Sequence, residues 1–592
     1  MKDILLFTLI VFMAYGLGRR ALSLFAKETE SLLEDIVFSS AIGFALLGYL
    51  VYGIGSLGFL YKGPVLILFV VCAFAAAGPF CRLVRRLTFP RSFNWLSGEG
   101  TFDRFLLGIL IFIPVLSLFG AMAPEIGNDA LAYHLDHSKI FAGRHSIGFI
   151  PFTRESLWPY FGQMFFTAGL LLESVTAAKL SHYFFGILLI LSVFSFTRRF
   201  FSKKKALLAA ALLASSPGIF TQMTYAYVDL TQGFYSFMAL YAIMLWVKRE
   251  QLGLLALSGL FAGIALSVKL MSGMALIALV FVVLLSDLHK KTQAKKVFAQ
   301  LFVLGLFAFA AGFVWYLRSY LVLGNPVYPF LHNIFGSGWE THLKDYVGTR
   351  TDLLGFFLLP WDMVIHVDSF GGEQIGVIFL AFFPLLIFLP RHEKNIQYLF
   401  CFFIIHAIIW YIVNPMLRYT FVNFAVAFIL ISLGFYGASE KYGLVFLKKL
   451  LAGCVIFNFL LCVYHNYDTV ALALGVTTRD EYLARNERTF PVADFVNKNT
   501  PSDSVIVLVG ESRGFYFNRQ VLQYGMWEHQ TDKNILSYLR ELTSRSVPTY
   551  ILYRDDYDIH PFGPIIDERD PLMVLERKVE RGKRATYYLF RI

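Results

Sequence analysis

The chain has 592 residues, 57% of them hydrophobic and 16% charged, with a net charge of +11 and a mean hydropathy of +0.60. Repeated apolar runs of the roughly 20 residues that cross a bilayer core exclude a soluble globular protein and indicate a polytopic membrane protein. The positive charge argues for no nucleic acid, because Lys and Arg sit in short clusters between the apolar runs, where they set topology. Cys72, Cys81, Cys401, Cys454 and Cys462 lie in or beside apolar runs without metal-ligand spacing and read as small hydrophobes.

In chain order, spans are predicted near 4–18, 36–59, 64–81, 104–122, 180–197, 206–222, 230–247, 252–267, 270–286, 297–321, 375–390, 396–413, 416–436 and 446–464, about 14 in all. The first is read as a retained span: no small-residue cleavage site follows it, and Arg19 and Arg20 lie on the wrong side for a signal peptide. The positive-inside rule places the clusters at Arg19/Arg20/Lys27, Arg82/Arg85/Arg86/Arg91, Arg198 to Lys205, Lys248/Arg249, Lys290 to Lys296, Arg391/Lys394 and Lys441 to Lys449 in the cytoplasm, with both termini outside. Counting 161–177 as a span would export the Arg198 to Lys205 cluster, so it is predicted to be an interfacial or re-entrant helix.

This leaves 123–179 as one long outer-face segment, joined by the turn Tyr225-Ala226-Tyr227-Val228-Asp229, a loop at 324–373 too long for a mere connector, and the tail from His465. The tail reads as a small α/β domain. Val492, Phe495 and Val496 give an amphipathic start, Val505–Val509, Thr549–Tyr553 and Ala585–Phe590 read as strands, and Asn534–Leu542 reads as a helix.

Ionisable groups at the outer ends of spans are functional candidates, because they are costly near a membrane. The densest cluster is Glu125-Ile126-Gly127-Asn128-Asp129-Ala130-Leu131-Ala132-Tyr133-His134-Leu135-Asp136-His137. On a continuous helix Asp129 and Asp136 share a face, with Tyr133 between them. Asp129 either deprotonates an acceptor hydroxyl or caps the helix from Ala130, and Asp136 either joins it or is simply solvated. His134 and His137 show no zinc spacing. Asp229 stands where two spans meet, Lys269 joins two spans with little polar company, and Arg318 and Arg418 are cations near Tyr328 and Tyr419. Cations and carboxylates gathered on one face suit a site that holds a phosphate and removes a proton. A transporter would instead place such groups and helix breaks near the midplane.

At these residues the sequence resembles the GT-C superfamily of membrane glycosyltransferases, in particular the bacterial members grouped with protein O-mannosyltransferases and the lipid A aminoarabinose transferase. The match runs through Asn128-Asp129-Ala130-Leu131-Ala132-Tyr133-His134-Leu135, Trp158-Pro159-Tyr160, Ala226-Tyr227-Val228-Asp229, the glycine-rich span from Gly259 to Lys269, Gly324-Asn325-Pro326-Val327-Tyr328-Pro329-Phe330 and Leu417-Arg418-Tyr419. Asn128-Asp129 stands where the family has a tandem acidic pair.

The resemblance implies an α-helical polytopic fold with extra N-terminal helices (1–103), a catalytic membrane module (104–464) and a soluble extracytoplasmic α/β domain (465–592). It implies inverting transfer of a sugar from a polyprenyl-phosphate donor to a glycan, lipid or protein hydroxyl, at the outer face of a bacterial cytoplasmic membrane. Asp129 and Asp229 take the catalytic positions, and Lys269, Arg318, Arg418, Tyr328, His134 and Tyr133 bind donor phosphate or substrate. Membrane lipids are the other partners, and a divalent Mg or Mn ion, if used, falls to Asp129 and Asp229. The rival expectations are an O-antigen ligase or polymerase type of enzyme and a transporter or flippase of lipid-linked saccharides.

Overall fold

The structure is a computed structural model. It describes all residues except 1, 26–28, 89–99, 151–152, 337–349, 351, 444, 525–531, 558–561, 567–568 and 579–583. Part of the predicted loop 324–373 therefore lies outside the described residues.

The chain is α-helical. Eleven helices among the described residues are long and apolar enough to cross a membrane, from Lys2–Leu22 to Val445–His465, or up to 12 if one bent pair is counted as a single span. Their starts follow local rules. Ser31, Ser174 and Ser202 each accept a backbone N–H of the first turn and so cap the helices Leu32–Ser56, Val175–Phe200 and Lys203–Ala214.

Three predicted spans take other forms. The run 206–222 breaks at Ser216-Pro217 into Lys203–Ala214 and Pro217–Thr224, bent by 62°. Proline cannot supply the amide that a continuous helix needs there. Segment 374–375 holds the bend, with Gly218 N donating to Gln374 O (2.6 Å) and Ser216 Oγ to Ile375 O (3.0 Å). The run 252–267 is a 17-residue helix, Leu252–Val268, and 375–390 is one short helix, Val377–Phe382, continued as a 3-10 turn.

Segment 161–177 contains only the nine-residue helix Gln163–Leu171, about 14 Å long and far short of a bilayer core. Glu173 then turns left-handed (φ 58°) and Ser174 starts the next helix.

The chain divides into two compact units. One comprises Met1–Met122, Pro159–Trp315 and Tyr346–Val470, and the other Ala123–Trp158, Tyr316–Asp345 and Ala471–Ile592. The acidic segment thus belongs with the tail.

In the first unit, Gly259 and Gly263 let helix Leu252–Val268 press on the backbone of Ala294–Leu323. A Cβ at either would lie 2.5 and 2.2 Å from the carbonyls of Leu304 and Ala308. That contact fixes the end of the helix that carries Lys269.

The second unit is built on a five-stranded sheet: β1 (Val505–Val509), β2 (Gln520–Tyr524), β3 (Thr549–Arg554), β4 (Met573–Lys578) and β5 (Arg584–Arg591), in the order β2-β1-β3-β5-β4. β1 pairs in parallel with β2 and β3, and β5 is antiparallel to β3 and β4. Alternation in β1 sends Val505, Val507 and Val509 to one core with Ile535 and Leu539, and Ile506 and Leu508 to another with Val492 and Val496. The sheet therefore has an apolar layer on each face.

The crossover from β1 to β2 contains no helix. It runs from Gly510 (φ 78°) to Arg519 and buries Glu511. Glu511 accepts from Arg488 Nε (3.0 Å), Arg554 Nη1 (3.3 Å) and Tyr587 Oη (2.8 Å). Burial alone would raise this carboxyl, but Arg488, Arg513 and Arg554 hold it down to about 2. A carboxyl held below its unfolded value stabilises the fold above that value and loses the contribution as pH falls through about 2. The effect is worth about 3 kcal/mol at neutral pH. Glu511→Gln is expected to remove it and to leave buried guanidinium groups short of charge. The check is amide exchange of β1 and β5 in the full chain at pH 7, and unchanged protection would refute the assignment.

Candidate functional site

The candidate residues fall into two clusters, one in each unit. In the membrane unit, Asp229 opens helix Asp229–Arg249 as its first residue and makes no cap bond. It lies fully buried against Lys269, whose Nζ is 2.6 Å from Asp229 Oδ1. The second oxygen, Oδ2, is buried with no hydrogen-bond partner among the described residues. A buried carboxylate oxygen in that state calls for an explanation, and a substrate donor group supplies one.

Lys269 sits in extended backbone (φ −151°, ψ 136°) between helix Leu252–Val268 and the turn Leu270–Ser272. Its ammonium lies 4.8 Å from the ring centre of Tyr419. The Arg418 guanidinium stands 5.6 Å from the same ring and 5.8 Å from Tyr227. Two cations on a shared aromatic base, beside one carboxylate, give a net positive site suited to an anion.

His182, which sequence reasoning missed, orders the turn that delivers Asp229. Its Nε2 accepts from Leu230 N (3.1 Å), so Nδ1 carries the proton and donates to Tyr225 O (2.8 Å). The available signal was a histidine inside an apolar helix.

In the second unit, Asp129 has helical backbone (φ −65°, ψ −31°) and its side chain makes no cap bond, which overturns the capping alternative. The next five residues, Ala130–His134, form a π-helical turn. That wider turn changes the register, so Asp129 and Asp136 acquire different surroundings instead of the shared face that a continuous helix predicts.

Asp129 Oδ2 accepts from Tyr133 Oη at 2.6 Å, and Oδ1 faces Asn128 Nδ2 at 3.4 Å. The Tyr133 ring packs edge-on against Trp158, 5.6 Å between centres, which ties two of the sequence motifs together. Asp129 is half-buried.

Asp136 is buried, not solvated. Burial pushes its carboxyl up to about 7, against the opposing pull of Lys139 and Gln523. His137 is buried as well and held down to about 3, by burial first and then by Arg318 and Arg144, so it is neutral at physiological pH. His134 is buried with its ring 4.2 Å from that of Tyr133.

Arg318 donates to the backbone carbonyls of Ser156 (2.6 Å), Gly148 (3.1 Å) and Trp158 (3.5 Å). The guanidinium therefore ties Gly148, Ser156 and Trp158 together. Tyr328 is buried in a turn closed by Asn325, which accepts from Val327 N and donates to Phe330 O, both at 3.0 Å.

The residues present do not fit a divalent metal at Asp229. An ammonium 2.6 Å away repels a second cation, and among the described residues no three His, Cys, Asp or Glu come together as ligands.

Comparison with known proteins gives one sequence match and a set of similar folds. Residues 159–315 match the family model of dolichyl-phosphate-mannose-protein mannosyltransferase. No curated protein matches the chain in sequence.

Among solved structures, ArnT from Cupriavidus metallidurans bound to undecaprenyl phosphate is 14% identical with a TM-score of 0.55, over 82% of this chain and 97% of that one. The apo form of the same protein gives 13% and 0.53 over the same shares. The Archaeoglobus fulgidus oligosaccharyltransferase in complex with Zn and sulfate is 16% identical with a TM-score of 0.44, over 75% of this chain and 67% of that one. The chain is a membrane protein that shares the fold of ArnT, and its residues 159–315 match the family model of dolichyl-phosphate-mannose-protein mannosyltransferase.

Proposed function

We propose that the chain is an inverting glycosyltransferase that moves a sugar from a polyprenyl-phosphate donor to an acceptor hydroxyl at the outer face of a bacterial cytoplasmic membrane. One observation carries the reading: Lys269 and Arg418 share the Tyr419 ring beside a buried Asp229 oxygen that has no donor among the described residues. Such a site holds a monoanionic phosphodiester through its two cations and leaves Asp229 Oδ2 for a sugar hydroxyl. ArnT, which shares the fold, was crystallised with undecaprenyl phosphate.

In the reaction, Asp129 removes the proton of the acceptor hydroxyl as its oxygen bonds to the sugar's anomeric carbon. The bond from that carbon to the phosphate oxygen breaks, and its electron pair leaves with the polyprenyl phosphate. Lys269 and Arg418 meet the second negative charge that develops on the phosphate, and Asp229 keeps the ammonium in place. Tyr133 holds Oδ2 of Asp129 and so orients the carboxylate.

The test is a donor panel on the purified protein: undecaprenyl-phosphate-linked mannose, glucose, galactose and 4-amino-4-deoxyarabinose, with and without cell-envelope acceptors. Consumption of one of them with release of undecaprenyl phosphate, and an inverted anomer in the product, is the expected result. Turnover of diphosphate-linked glycans alone would favour the ligase-like enzyme instead.

A further inference from the structure

The β1–β2 crossover grips the acidic segment along its length. Phe515 N donates to Leu131 O (3.2 Å) and Gln523 Nε2 to Ala132 O (2.7 Å), so two carbonyls of the π-helical turn take donors from outside the helix. Tyr516 Oη donates to Glu125 O (2.8 Å). In the other direction, Lys139 Nζ donates to Phe515 O (2.8 Å) and Phe517 O (2.6 Å). Gly514 approaches so closely that a Cβ there would lie 2.9 Å from Asp136 Oδ2.

One of these contacts reaches the carboxylate assigned as the base. Arg513 Nη1 donates to Glu487 Oε1 at 2.8 Å, in a pair whose glutamate is fully buried. Its Nε donates to Asn128 Oδ1, also at 2.8 Å. An amide whose oxygen is claimed by a guanidinium has only one orientation left, with Nδ2 turned away from it. Here Nδ2 faces Asp129 Oδ1.

We infer that Arg513 is a positioning residue: anchored by Glu487, it locks the Asn128 amide so that Asp129 meets a donor on Oδ1 and Tyr133 on Oδ2, which sets the direction in which the carboxylate accepts a proton. Without Arg513 the amide can turn its oxygen toward Asp129, and the repulsion swings the carboxylate off line. The inference rests on Asp129 being the base, and it gives the soluble domain a part in the reaction.

Asn128→Ala removes the relay and leaves the Arg513–Glu487 pair intact, so it tests the path without breaking a buried ion pair. With the undecaprenyl-phosphate sugar that the panel turns over, N128A and R513M are each expected to lower kcat about 100-fold, the loss that a small misplacement of a reacting group produces. Donor and acceptor KM should stay within about twofold. The double variant should be no worse than either single one, and R513K, which keeps a donor for Asn128, should recover most of the rate.

A wild-type kcat in N128A, or losses that multiply in the double variant, would overturn the relay. Assaying D129N alongside separates the two ideas. An active D129N removes the base and the relay together, whereas an inactive D129N with a fully active N128A removes the relay alone.

Discussion

Asp129→Asn is expected to lower kcat by about 10³-fold or more while the purified protein keeps its thermal unfolding midpoint. Asparagine has nearly the same shape and still accepts from Tyr133 Oη, so the π-helical turn has no reason to rearrange. What disappears is the basicity of the group that takes the acceptor proton, and general bases contribute about 10² to 10⁴ in rate. KM for the donor should change little, because the phosphate is held by other residues. The measurement is single-turnover sugar transfer with purified protein. A variant within tenfold of wild type would show that proton removal is done elsewhere.

Lys269→Met should have the second large effect, on fold and donor use together. Asp229 would be left as a buried carboxylate without its counter-ion, a change that typically costs about 3–5 kcal/mol. Pairing it with Asp229→Asn separates the two effects, since replacing both members of a buried pair is often close to neutral for stability. The double variant is therefore expected to recover the unfolding midpoint in detergent but to keep a donor kcat/KM about 10² to 10³-fold down, because the developing phosphate charge still lacks its cation. Recovery of both stability and donor use would make the pair a structural brace and leave Arg418 as the phosphate contact.

The membrane helices were legible because a bilayer demands long apolar runs, and the cation clusters identified 161–177 as no ordinary span. The Ser215-Ser216-Pro217 break lay in plain sight inside the apolar run 206–222, but hydropathy averages over such a signal. In the tail, β1, β3 and β5 announced themselves through consecutive apolar or aromatic residues. The edge strands β2 and β4 carry Gln520, Gln523, Glu576, Arg577 and Lys578, and one-sided burial removes the continuous apolar run by which a strand is recognised.

Asp129, Asp229, Lys269 and Arg418 stood out as charges in apolar company. The long-range links around them did not. Nothing local in the sequence links Asn128 to Arg513, 385 residues away, and the π-helical turn that separates Asp129 from Asp136 has no sequence signature as plain as a cap or a proline break.

The long interval between the acidic segment and its sheet also has a consequence for biosynthesis. The carbonyls of Leu131 and Ala132 and the amide oxygen of Asn128 take donors from residues 513–523. Those residues leave the ribosome after the eleven candidate membrane helices among the described residues, so contacts of such high order close last. A nascent chain can insert those helices and still lack an ordered Asp129 segment. Ordering of the segment proposed to carry the base is thereby coupled to synthesis of the sheet.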